Sequence, residues 1–88
     1  MPTLSLFYGI VIRMYWSEQK HDMPHFHAEY SGRKASIAIH SLAVLDGKIH
    51  PKAMALVIEW AKLHQKELLE AWAACSQKRP PKRIAPLE

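Results

Sequence analysis

Between Pro24 and Tyr30 the sequence reads Pro-His-Phe-His-Ala-Glu-Tyr. Side chains alternate along an extended strand, so His25, His27 and Glu29 share one face while Phe26, Ala28 and Tyr30 take the other. Two imidazoles and a carboxylate on one surface suit three roles. In the first, a histidine titrating near neutrality takes or gives a proton while Arg13 or Arg33 holds a phosphate and stabilises its developing charge. A metal-free ribonuclease needs those ingredients, and His25, His27, Glu29, Arg13 and Arg33 form the candidate catalytic set. In the second, His25 and His27, at i and i+2, converge on a divalent metal ion, with Glu29, His21 or His40 as third ligand. In the third, the rings are strand residues that hydrogen-bond across the sheet or touch a protein partner, with no chemistry. The residues alone leave all three open.

The elements that would position these groups read as follows. Leu6 to Trp16 is rich in apolar, β-branched and aromatic residues, with Ile10, Ile12, Met14 and Trp16 on one face and Val11, Arg13 and Tyr15 on the other, which predicts a strand. Ser17 to Pro24 is polar and predicts a connection. His25 to Tyr30 and Lys34 to His40 both alternate, and Ser31-Gly32-Arg33 between them predicts a turn. Lys34, Ser36 and His40 would then join the imidazole face, beside Arg13 and Tyr15. Leu42 to Leu45 offers a further short strand, and Asp46-Gly47 a turn. From Pro51 to Gln77 no glycine or proline intervenes, which predicts one long helix. Its 3.6-residue stripe contains Met54, Val57, Ile58, Ala61, His64, Leu68, Ala71, Trp72 and Cys75. Leu56, Trp60 and Leu63 fall beside that stripe, either as a broad edge of the core or as a contact for a second chain. The expected fold is α+β: an antiparallel sheet of three to four strands with one C-terminal helix packed across it. Residues 1–77 form one domain and residues 78–88 a basic, proline-rich tail.

Composition sets the bounds. The chain has 88 residues, 49% hydrophobic and 23% charged, which fits one folded domain with a thin core. Its net charge is +4, yet the tail alone holds Lys78, Arg79, Lys82 and Arg83 against Glu88. The body is left with eight basic and seven acidic residues, too even a balance for bulk charge to argue nucleic-acid binding. Cys75 is the sole cysteine, which excludes a disulfide scaffold and a zinc-finger set and points to a reducing compartment. No apolar run of about 18 residues and no signal-peptide start are seen, so the expectation is a soluble cytoplasmic protein without a membrane partner.

The order of particular residues also carries a resemblance. Met1-Pro2-Thr3-Leu4-Ser5, Phe7-Tyr8-Gly9-Ile10, Met14-Tyr15, the segment from Pro24 to Tyr30 with Gly32 and Ala35, and later Trp60, Leu63-His64, Glu67-Leu68 and Trp72 resemble the bacterial domain of unknown function 4160 family. The resemblance runs from Met1 to about Cys75, and Pro-His-Phe-His is its most specific part. It implies a small cytoplasmic bacterial protein encoded beside another small protein, in a two-gene arrangement like that of toxin–antitoxin modules. It brings no catalytic residue with it. The combined expectation is a toxin–antitoxin-like component that binds a small protein partner and acts on RNA through its histidine face. The alternatives are a divalent-metal-binding protein using His25 and His27 and a non-catalytic homo-oligomeric structural module, for which a homodimer is the simplest form.

Overall fold

The computed structural model describes residues 3–15 and 23–88. The expectations for Trp16, the 17–22 connection and His21 as a metal ligand lie outside these residues. Five strands precede two helices: β1 (Thr3–Phe7), β2 (Ile10–Arg13), β3 (His25–Tyr30), β4 (Arg33–Ala38), β5 (Val44–Gly47), α1 (Pro51–Leu63) and α2 (Gln65–Ser76). The strands form one sheet in chain order with every neighbour antiparallel. The class is α+β as expected, but the element count differs in two places.

The first difference is a hairpin inside the segment expected to be one strand. Tyr8 and Gly9 both take left-handed backbone, at φ 49° and 77°, which turns the chain in two residues and pairs Phe7 with Ile10. β1 is thereby added to the sheet. The expected inner face of β2 holds, with Ile10, Ile12 and Met14 fully buried. Asp46-Gly47, expected as a turn, instead ends β5.

The second difference is a break in the helix. His64 sits at φ −126°, ψ 25°, and its N–H reaches back only to Ala61 O at 3.1 Å. No glycine or proline causes this. The Gln65 side-chain amide donates to Ile39 O at 2.8 Å and His40 O at 3.2 Å, which holds the start of α2 to the link after β4. The His64 ring also meets Glu67 Oε1 at 2.5 Å. The break leaves the buried stripe in phase, since Ala61, Leu68 and Cys75 lie seven residues apart, close to two helical turns, and all three are buried.

The core joins Ile10, Ile12, Phe26, Ala28, Ala35 and Ile37 of the sheet to Val57, Trp60, Ala61, Leu68, Ala71 and Cys75 of the helices. Of the two readings for Trp60, the core edge holds and the partner contact does not: it is fully buried, with Phe7 and Phe26 rings 5.4 and 6.0 Å away. Its indole N–H donates to Ala85 O at 2.8 Å, so the C-terminal segment seals it in. Ile84 is buried in the same core and its N–H donates to Leu4 O at 2.8 Å. Residues 78–88 therefore fold back along β1. Of the other expected partner contacts, Leu56 is half-buried against the core and Leu63 stays 68% exposed. No helix among the described residues is long and apolar enough to cross a membrane.

Candidate functional site

The turn at Ser31 and Gly32, at φ 52° and 79°, closes the β3–β4 hairpin in two residues and fixes its register. Tyr30 pairs with Arg33, Glu29 with Lys34, His27 with Ser36 and His25 with Ala38. On the other side Arg13 pairs with His27 and Val11 with Glu29. Arg13, His27, Ser36 and Asp46 thus form one row across four strands, and Val11, Glu29 and Lys34 form the next. Both helices join the core on the face of Phe26 and Ile37, and these rows occupy the opposite face, where Trp72 of α2 meets His25.

His25, His27, Glu29 and Arg13 of the expected set come together there. The Arg13 guanidinium lies 3.1 Å from Glu29 Oε2. The approach is at Nε, which makes no hydrogen bond, so charge alone holds the pair and the Glu29 carboxylate offsets the Arg13 charge as a phosphate clamp. Lys34 lies on this face opposite Glu29, whereas Arg33, the first residue of β4, is paired with Tyr30 on the other face and borders the patch only at the hairpin end; both are exposed and make no ion pair among the described residues. His40 does not join the patch, because β4 ends at Ala38 and the chain turns away.

The rings form a continuous series. Tyr15 lies 4.3 Å from His27 between ring centres, His27 5.1 Å from His25, and His25 5.1 Å from Trp72 of α2. His25 Nδ1 donates to Met23 O at 2.9 Å, and since a carbonyl only accepts, the neutral ring keeps its lone pair at Nε2. His27 Nδ1 is 3.1 Å from Ser36 Oγ. Ser36 is the site residue easiest to overlook, although a two-residue turn at Ser31-Gly32 already places it opposite His27.

Burial lowers the His27 pKa from 6.5 to about 4, with the charges of His25 and Lys34 adding to the effect and Glu29 partly offsetting it. At neutral pH His27 therefore offers a lone pair and not a proton, and its basicity is weak. It does not supply the acid of an acid–base pair. Because the folded pKa lies below the unfolded one, the unfolded chain binds the proton first as pH falls. Stability from this group is intact above about pH 6.5 and declines as pH drops towards 4. Discounted for the exposed part of the ring, the loss is on the order of 1–2 kcal/mol. Urea titrations at pH 7.5 and pH 4.5 are expected to show a drop in stability that is smaller by that amount in His27→Gln. An equal drop in both proteins would remove His27 as its source.

Two imidazoles alone approach one another. Among the described residues no group of three His, Cys, Asp or Glu side chains is placed to hold a metal ion. Cys75 is fully buried, and burial raises its thiol pKa, which keeps it protonated and unreactive.

Beside the imidazoles, towards the hairpin end, lies a groove of about 530 Å³ bordered by Val11, Arg13, Tyr15, Glu29, Arg33 and Lys34. A family model described as "Domain of unknown function (DUF4160)" matches residues 9–73, which include Arg13, His25, His27, Glu29, Arg33 and Lys34. No curated protein and no solved structure matches the chain.

Proposed function

We propose that this chain, which belongs to the DUF4160 family of unknown function, is the partner-binding component of a two-protein, toxin–antitoxin-like module. Its working surface in this reading is the sheet face around His25, His27 and Glu29. One observation carries the proposal. The core completed by the helices and the C-terminal segment lies on the other face of the sheet, while this face assembles an ion pair, a hydroxyl–imidazole pair and an aromatic series whose His25 end meets Trp72 of α2. Such a mixture of aromatic rings, a guanidinium and few free charges is typical of the centre of a protein–protein contact. A His27 that is neutral at pH 7 favours binding over proton transfer, because a neutral ring is cheaper to desolvate. The helix flank is the weaker surface, since Trp60 is sealed in the chain's own core and only Leu63 stands out.

The partner expected is the small protein encoded beside this one. Co-expression is expected to yield a stable complex in size-exclusion chromatography. His25→Glu should weaken it at least tenfold by placing a charge among the rings, and Leu63→Asp should leave it intact. A complex that Leu63→Asp disrupts and His25→Glu does not would move the interface to the helices. Absence of any complex with the wild-type chain would sink the proposal.

A further inference from the structure

We infer that the groove at the hairpin end of this face receives a short, extended, acidic segment of the partner protein, with an apolar side chain beside its carboxylates. The inference rests on the partner-binding reading above and gives that partner a chemistry. Three cations and one carboxylate border the groove. Arg13 is occupied by Glu29, which leaves the positive charges of Arg33 and Lys34 without a counter-charge among the described residues. Lys34 stands directly opposite Glu29 in register yet makes no ion pair with it, and its ammonium remains available.

The shape and the remaining residues choose the class of ligand. Val11 lines the groove half-buried, and Leu6, its register partner on β1, is 56% exposed on the same face. This apolar strip beside two free cations matches a peptide that alternates acidic and apolar residues, whose side chains point to alternate sides every second position. A phosphodiester backbone fits less well. The Glu29 carboxylate in the groove repels it. An acidic segment also suits Arg33, whose planar fork binds carboxylate in two places at once.

The test uses the full chain and a synthetic hexapeptide of alternating glutamate and valine, followed by amide chemical shifts and fluorescence anisotropy. The peptide is expected to shift the amides of Val11, Arg33 and Lys34. Its affinity should fall at least tenfold in the Arg33→Gln, Lys34→Gln double variant and about fivefold on raising salt from 50 to 500 mM. The lysine–valine hexapeptide should not bind. A ten-residue oligouridylate that binds instead, and loses affinity in the same double variant, would overturn the acidic-segment assignment in favour of nucleic acid. No shift at these residues with any probe would overturn it outright. A wild-type complex with the neighbouring gene's product that survives the double variant unchanged would remove the groove from the interface while leaving the partner-binding reading standing.

Discussion

Replacing Trp60 by alanine is expected to cost about 4 kcal/mol of folding free energy, the range usual for a fully buried tryptophan. Three losses combine. The indole fills the space between Phe7 and Phe26, so its removal leaves a cavity between sheet and helix that the thin core of a small domain closes poorly. Ala85 O loses its indole donor. The C-terminal segment loses one of the bonds that hold it, leaving the packing of Ile84 and Leu87 and the bond from Ile84 N–H to Leu4 O. Since a domain of this size has about 5–15 kcal/mol in hand, the variant should stand near its unfolding threshold at 25 °C. Urea denaturation measures the total, and limited trypsin digestion at Lys82 and Arg83 reports the segment alone. Trp60→Phe keeps most of the volume and removes the N–H, so it should cost far less in urea yet still speed cleavage in the segment. If Trp60→Ala unfolds at nearly the wild-type midpoint, or cleavage is unchanged in both variants, the sealing of Trp60 by residues 78–88 is wrong.

That arrangement also marks where the sequence stops being informative. The β3–β4 hairpin was legible because strict alternation and a Ser-Gly turn agree, and that pair of strands holds most of the candidate site. The stripe of Val57, Ala61, Leu68, Ala71 and Cys75 was legible because helical phase survives the break at His64. The break itself is set by Gln65 bonding to carbonyls 25 and 26 residues earlier, which no local pattern encodes. Tyr8 hides the first turn, since a tyrosine in left-handed backbone gives no hint of a turn within an apolar run. Trp60 was placed beside the stripe by counting angles on one helix. A tryptophan side chain reaches far enough to join the core from that position, and the chain's own C-terminal segment covers what a second chain would otherwise have to cover. At the site, charge type predicted less than pairing did. Arg13 looked like a free cation and is paired with Glu29, whereas Lys34 and Arg33, two strands over on β4, are the cations left without an ion pair.

Gly47→Ala is expected to destabilise the protein by about 3 kcal/mol or more, although the change adds a single methyl group. Gly47 has φ +76°, and a left-handed residue with a Cβ costs roughly 1–2 kcal/mol on that account alone. The added Cβ would also stand 2.3 Å from Lys34 O and 3.0 Å from Ala35 Cα, and both are backbone atoms that cannot swing aside. Relief requires β5 to move away from β4, at the expense of the pairing of Gly47 with Ala35 and the bond from Lys48 N to Lys34 O at 3.2 Å. Gly32 supplies the control, because its φ is +79° but no atom lies within 4 Å of where a Cβ would sit. Gly32→Ala should therefore show only the backbone cost, and the difference between the two variants in urea midpoint isolates the close approach of β5 to β4. Amide exchange should quicken along Val44–Gly47 in the first variant and not in the second. Because Lys34 lends its carbonyl to this contact and its ammonium to the groove, Gly47→Ala should also weaken the acidic hexapeptide while every charge stays in place. Equal costs at the two glycines, or a peptide affinity that Gly47→Ala leaves untouched, would show that the β4–β5 approach does not position Lys34.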